Sequence, residues 1–211
     1  MVTTTDEETS AKNRIMDHAM VQFHQAGFAR VSVEEITSAL GMSKKTFYKY
    51  FESKEDLVHQ IVLRITGDIT VQIESVITAD RPFVLKLNGL ISVLHARFTR
   101  LSTPLLRDLQ IHTPAIWSYI QEFRRTKIIA VWGRLIVQGQ REGFIRPEIN
   151  PRLLLLSIIG VVDSVVNPHT LAEESFSTEE AMRGIIDMLF RGILTPDAVR
   201  DIEVLHVTQH S

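Results

Sequence analysis

Two helix-start signals stand close together near the beginning of the chain, and they restrict its fold more than any other feature. Ser32 and Glu35 have the spacing of a capping box, in which two side chains satisfy free amide groups at the start of a helix. Gly41 can take the left-handed conformation that ends a helix, and Ser43 can cap the next one. The segment therefore predicts a helix, a tight turn and a second short helix, over residues 33–40 and 44–50.

Helical signals continue along the rest of the chain, and no strand-like alternation persists. Apolar residues recur at helical spacing from about Ser10 to the helix-ending Gly27. Ser53 and Asp56 then open a long helix that continues towards Ile77.

Prolines at first helical positions indicate the later helices, and three of these prolines follow a residue that can cap a helix. The capping residues are Thr103, Thr113 and Asn150, and Ser177 with Glu180 forms a second capping box. The expected helices are about 82–100, 104–111, 114–141, 151–166 and 178–193, with a short one from Pro196.

These signals predict an all-α fold in two parts. We expect a helix-turn-helix unit over residues 1–52 and a helical remainder over residues 53–211. The first ten residues are polar and acidic, so we expect a loose tail there. They lack the basic start and apolar core of a signal peptide.

The composition excludes thiol chemistry and a membrane-spanning segment. The chain has no cysteine, which excludes disulfides, thiolate catalysis and thiol redox sensing within it. The longest apolar run, residues 153–162, contains Ser157 and Gly160 and is too short to span a bilayer. We therefore expect a cytoplasmic protein without a membrane segment.

The net charge of −2 gives no argument for nucleic-acid binding from bulk electrostatics, so a DNA-binding surface has to be a local basic patch. Lysines cluster within residues 43–54, where Glu52 is the only acidic residue. A lysine cluster that stands alone is most often a solvated helix face. This cluster coincides with the second short helix and with the start of the helix that follows it. Its lysines are Lys44, Lys45, Lys49 and Lys54.

In a helix-turn-helix, the first helix crosses the DNA backbone and the second enters the major groove. Phe47 lies on the apolar side of the second helix, with Leu40, Met42 and Phe51, and we expect it to pack against Phe23 and Ile36. The remaining side chains face outwards and offer cations, hydroxyls and an aromatic ring to phosphates and base edges. They are Lys44, Lys45, Thr46, Tyr48 and Lys49.

The stretch GFARVSVEEITSALGMSKKTFYKYFESKEDLV resembles the DNA-binding signature of tetracycline-repressor (TetR) type regulators. The resemblance covers residues 10–60 closely, whereas the remainder is similar only in length and helical content. It implies that Ser32 and Lys54 contact phosphates at helix N-termini. Further contacts, mostly to the DNA backbone, are implied for Ser43, Tyr48, Lys49 and Tyr50, and base-edge contacts for Lys44, Lys45 and Thr46.

The resemblance also implies a homodimeric repressor that occludes a promoter at a near-palindromic double-stranded DNA operator. This unit differs from the family pattern in its acidic residues. It is less basic than many DNA-binding domains because it contains Glu34, Glu35, Glu52 and Glu55. The alternative for the segment is a helical hairpin that only packs.

Two helices in the second part are rich in apolar residues. The helix at 151–166 carries apolar groups around its whole circumference, which predicts burial on all sides. The helix at 178–193 carries an apolar face. Apolarity alone leaves a buried core and an isologous four-helix dimer interface equally open, whereas the resemblance implies the dimer.

TetR-type regulators commonly bind a small effector among their central helices. Aromatic side chains and two polar ones could form a mainly apolar pocket for a small apolar or aromatic molecule. Aromatic residues at helical spacing are more often core. Asp163 needs a partner if it is buried: an arginine such as Arg124 or Arg125, a pocket, or its counterpart across a dimer interface. We favour an internal ion pair or exposure on the helix surface. The candidate pocket residues are Phe98, His112, Trp117, Phe123, Trp132 and Asp163.

A small helical enzyme and a helical adaptor are the competing classes. No phosphate-binding loop, HExxH motif or nucleophile elbow occurs, so we expect no catalytic residues, no cofactor and no metal site. His206 and His210 have a spacing that could hold a metal on a helix, but they lie in the final residues, where a mobile tail is the simpler interpretation.

Overall fold

The computed structural model describes residues 3–98, 102–174 and 176–194, and within these residues the fold is α-helical, as predicted. The expected helix from Pro196 and the two terminal histidines lie outside the described residues. The helices are α1 (Thr3–Ala26), α2 (Val33–Ala39), α3 (Lys44–Tyr50), α4 (Lys54–Thr78), α5 (Phe83–Phe98), α6 (Thr103–His112), α7 (Pro114–Arg141), α8 (Pro151–Val165), α9 (Pro168–Glu173) and α10 (Thr178–Ile193).

The predicted start and stop signals of α2 and α3 are confirmed. The Ser32 hydroxyl accepts the Glu35 backbone N–H at 3.2 Å, and the Glu35 carboxylate accepts the Ser32 backbone N–H at 2.7 Å. Gly41 has a φ of 64°, in the left-handed region that favours glycine. Ser43 caps α3 through its hydroxyl, which accepts the Thr46 backbone N–H at 3.1 Å.

The starts of α1 and α6 and the cap of α7 differ from the predicted ones. α1 begins at Thr3, so residues 3–10 are helical and the expected loose tail is wrong; acidic residues near a helix N-terminus favour its dipole. Ser102, rather than Thr103, caps α6. Thr113 does not cap α7 with its side chain, because its hydroxyl donates to the Leu109 carbonyl at 2.8 Å.

The sequence reasoning missed α9, although its signal is present. Asn167 caps this helix and Pro168 occupies its first position, the same arrangement as Asn150 and Pro151 at α8. The helix has six residues, which is fewer than two turns, so it carries too few apolar positions to show a helical period.

The chain forms two compact units that are not contiguous in sequence. Unit 1 comprises residues 1–68 and 100–121, and unit 2 comprises residues 69–99 and 122–211. Helix α6 belongs to unit 1, where it contacts α1. We predicted that the DNA-binding module ends at residue 52. The two compact units do not test this boundary, so it stays a prediction.

Each unit has its own apolar core. In unit 1, fully buried side chains from α1, α2, α3 and α4 meet, among them Phe23, Ile36, Phe47 and Leu57. In unit 2, residues of α4, α5, α7, α8 and α10 form one cluster that includes Phe83, Leu135 and Val162.

Helix α8 is not buried on all sides, which corrects the expectation from its composition. One face is buried through Leu154, Ile158 and Val162, whereas Leu153 is 65% exposed and Leu156 is 58% exposed. The apolar residues around α8 therefore form two faces: one is buried within this chain, and the other is exposed to solvent.

Candidate DNA-binding surface

The apolar side of α3 anchors this helix in unit 1. Phe47 is completely buried, and its ring lies 5.3 Å from that of Phe51, which is 1% exposed. Ile36 on α2 and Phe23 on α1 are also completely buried. The predicted inward orientation of Phe47 is confirmed, so the opposite side of α3 faces solvent.

The exposed face of α3 carries the predicted cations and an aromatic ring. Lys45 and Lys49 are exposed, and Tyr48 is 56% exposed. Thr46 is half-buried, and its hydroxyl forms a hydrogen bond with that of Ser43 at 3.0 Å. Both hydroxyls keep further hydrogen-bonding capacity, so they suit contacts to phosphates or bases.

Lys44, predicted to read base edges, forms an ion pair with Glu34 on α2. Its Nζ donates to Glu34 Oε2 at 2.6 Å, and this hydrogen bond raises the pKa of Lys44 above its usual value. Both side chains are more than half exposed, so the pair contributes little to stability and opens readily. The ion pair holds the Lys44 ammonium group against α2 and occupies one of its three N–H donors.

Lys54, predicted to contact a phosphate, places its ammonium group on the loop between α1 and α2. Its Nζ donates to the carbonyl oxygens of Phe28 and Val31, both at 2.9 Å, and lies 4.3 Å from the Phe28 ring centroid. Burial lowers the pKa of Lys54. The group that suits a phosphate is therefore the Lys54 backbone N–H at the first position of α4, where no helical acceptor exists.

Ser32 and Tyr50 occupy two other predicted contact positions. The Ser32 backbone N–H donates to Glu35, which lowers the pKa of that carboxyl, whereas the Ser32 hydroxyl is still able to donate outwards. Tyr50 is half-buried, and Lys49 Nζ lies 5.6 Å from its ring centroid. The ring thus restrains the lysine near the end of α3.

The sequence did not predict the role of Asp108, a residue close to this surface. Asp108 on α6 accepts the Ala29 backbone N–H at 2.8 Å, in the loop that leads into α2. The two residues are 79 positions apart, and no local pattern announces such a contact.

The effector candidates are divided between the two units. Trp117 is buried in unit 1 and Trp132 in the core of unit 2. His112 is exposed, Phe123 is half-buried, and the side chain of Phe98 lies outside the described residues. Each tryptophan therefore has a core role, and a shared pocket stays a prediction.

Asp163 has the ion-pair partner that the sequence reasoning favoured. Arg124 Nη1 lies 3.6 Å from Asp163 Oδ1, with Arg124 13% exposed and Asp163 38% exposed. Burial lowers the pKa of Arg124, and Asp163 opposes this effect.

A groove of about 580 Å³ also runs along α7 in unit 2. It is lined by Gly133, Arg134, Val137, Gln138, Arg141 and Glu142.

The described residues contain no helix long and apolar enough to cross a membrane. Over the same ranges, no group of three His, Asp or Glu side chains could hold a metal ion. The exposed cationic face of α3 and the packing of this helix against α2 are those of a helix-turn-helix DNA-binding protein.

Comparison with known proteins agrees with this class. Residues 15–61 match the family described as bacterial regulatory proteins, tetR family. The HTH-type transcriptional regulator YvaF of Bacillus subtilis is 28% identical over 85% of this chain and 94% of its own length. The HTH-type transcriptional repressor BdcR of Escherichia coli is 33% identical over 34% of this chain and 36% of its own.

The fold is also shared. The structure of the fatty acid degradation regulator FadR from Bacillus halodurans superposes with a TM-score of 0.63 at 20% identity, covering 85% of this chain and 94% of that one. Residues 15–61 are a DNA-binding domain of the TetR type found in bacterial transcriptional regulators, as the signature indicated. The matched proteins are named as regulators, not as enzymes.

Proposed function

We propose that this protein is a homodimeric repressor that binds a near-palindromic operator, with one α3 of the dimer in each of two major-groove half-sites. The observation that carries the proposal is the two-sided character of α3, with Phe47 completely buried and Lys45, Tyr48 and Lys49 exposed. A helix that binds in the major groove needs an anchored apolar side and a solvent-exposed polar side.

Within this proposal, the residues of α3 divide into two roles. Lys45, Thr46 and Lys44 lie in the first turn, which in a helix-turn-helix points at base edges. Phosphate contacts fall to Lys49, Tyr48, Tyr50, the caps Ser32 and Ser43, and the backbone N–H of Lys54. Lys44 contacts base edges when DNA replaces Glu34 as the partner of its ammonium group.

The open faces of α8 and α10 support the dimer. Along α8, Leu153, Leu156 and Gly160 recur at helical spacing and are exposed. On α10, Met188 is 60% exposed one turn after Gly184. A Cβ built on either glycine meets no atom within 4 Å, so a second copy can approach both helices closely.

A small, mainly apolar effector that releases the operator completes the proposal. A repressor needs a switch, and a cysteine-free chain has no thiol switch. The relative FadR is named for fatty acid degradation, which fits a hydrophobic effector class. In unit 2, the Arg124–Asp163 pair and the half-buried Phe123 offer polar and apolar contacts on neighbouring helices.

The deciding experiment is a gel-shift with the promoter region beside the protein's own gene and with a scrambled fragment of equal length. We expect specific retardation and protection of two half-sites about one helical turn apart. Equal affinity for both fragments contradicts the proposal, and turnover or metal dependence without DNA binding favours the enzyme class instead.

A further inference from the structure

The loop that leads into the helix-turn-helix is held by a carboxylate from a distant part of the chain. Gly27 has a φ of 86°, and a Cβ atom built on it would lie 2.5 Å from Asp108 Oδ2. The absence of a side chain at Gly27 therefore allows the carboxylate to reach the Ala29 backbone N–H at 2.8 Å. Both partners belong to unit 1.

Lys54 holds the same loop through its carbonyl groups. Its ammonium group contacts the carbonyl oxygens of Phe28 and Val31, whereas Asp108 contacts an N–H between them. Two helices therefore restrain the loop. Lys54 on α4 donates to its carbonyl groups, and Asp108 on α6 accepts one of its N–H groups. Such a pair of contacts defines the path of the chain more tightly than either one alone, since each backbone group is directional.

The restrained loop ends at the cap of α2. Val31 is 5% exposed, and the next residue is Ser32, which begins the capping box. A shift of the loop therefore shifts the start of α2, and α2 contacts α3. The described contacts connect α6 to the DNA-reading helix through Asp108, Ala29 and Ser32.

We propose that Asp108 is a positioning residue for operator recognition: by accepting the Ala29 N–H, it keeps α2 and α3 in the orientation that fits two half-sites. This inference rests on the proposed function. Neither partner of the contact touches DNA in this proposal.

The test compares Asp108→Ala, Asp108→Asn and the matched control Gln110→Ala, whose side chain is exposed on the same helix. Asparagine keeps an oxygen that accepts the Ala29 N–H, whereas alanine does not. We expect Asp108→Ala to weaken specific operator binding by about tenfold, and Asp108→Asn to retain affinity within about threefold. Gln110→Ala should match the wild type.

Two further readouts separate positioning from stability alone. Binding of Asp108→Ala to scrambled DNA should stay within about twofold of the wild type, because non-specific binding is mainly a sequence-independent electrostatic attraction to phosphates. Hydrogen exchange in the peptide that contains Ala29 should accelerate in Asp108→Ala and not in Asp108→Asn. Unchanged operator affinity in Asp108→Ala overturns the proposal, and so does an equal loss on both DNAs.

Failure of the proposed function has a different signature. If the wild type does not discriminate between operator and scrambled DNA, the repressor proposal fails and this inference falls with it. If the wild type discriminates and Asp108→Ala discriminates equally well, only the positioning role of Asp108 is wrong.

Discussion

Gly139 on α7 lies against the ring of Phe83, so closely that a Cβ atom on Gly139 would lie 2.6 Å from Phe83 Cε2. The same Cβ would lie 2.8 Å from Ile145 Cδ1. Phe83 is completely buried and Ile145 is 1% exposed, and both belong to the apolar core of unit 2. A glycine inside a long helix is required here by packing.

Gly139→Ala should therefore destabilise the protein, although alanine is the better helix former. Overpacking of a filled core costs about 1–3 kcal/mol, which exceeds the roughly 1 kcal/mol that alanine contributes in a helix. Denaturant unfolding measures the difference. Gly67→Ala is the control, because a Cβ there meets no atom within 4 Å, and it should be neutral or stabilising. A stabilised Gly139→Ala would contradict the described packing.

Release of Lys44 from Glu34 should strengthen operator binding. Glu34→Gln removes the ion pair and one negative charge close to the DNA, so Lys44 meets DNA without losing a partner. We expect tighter binding by several-fold, with a small effect on stability because the pair is exposed. Gel-shift titration and thermal unfolding check the two parts. Weaker operator binding would show that Glu34 orients Lys44 instead of competing for it.

Lys49 and Lys45 should respond differently to truncation. Lys49→Ala should weaken binding to all sequences alike and lower the slope of affinity against salt by about one unit. Lys45→Ala, or Thr46→Ala, should change the preferred base at particular positions by about 1–3 kcal/mol. Salt titrations and selection from random DNA make the measurements. The same preferred site in Lys45→Ala would remove this residue from base reading.

The two faces of α8 predict opposite outcomes for one substitution. Leu156→Arg places a charge on the exposed face and should give folded monomers with weak operator binding, if α8 forms the dimer interface. Val162→Arg places the charge in the core, where Val162 is 3% exposed, and should unfold the chain at a cost of several kcal/mol. Sedimentation and circular dichroism distinguish them. A dimeric Leu156→Arg with normal affinity would place the interface elsewhere.

An effector should act on stability and on DNA binding by linked amounts. A hydrophobic compound that releases the operator a hundredfold requires about 2.7 kcal/mol of preference for the released form, and it must bind the operator complex a hundredfold more weakly. Thermal shift and competition binding measure both quantities. Phe123→Ala should weaken both effects, whereas Trp132→Ala should mainly destabilise the core. A compound screen without any thermal shift would contradict the effector proposal.

Local signals determined the class of this protein. The capping box of Ser32 and Glu35, the left-handed Gly41 and the cap Ser43 act within one or two helical turns, so their geometry follows from sequence spacing. The buried side of α3 was predicted for the same reason, because Phe47 lies on an apolar stripe. The TetR signature added the expected function.

Contacts between distant segments were decided only by the tertiary structure. The sequence could not show that Lys54 turns its ammonium group onto the loop at Phe28, or that Asp108 reaches Ala29 from α6. It also could not separate the two apolar faces of α8, since hydrophobic side chains look alike whether their partner lies in the same chain or in a second copy. Such contacts depend on how helices meet, and helix packing is set by the whole set of side chains at each crossing rather than by any local spacing.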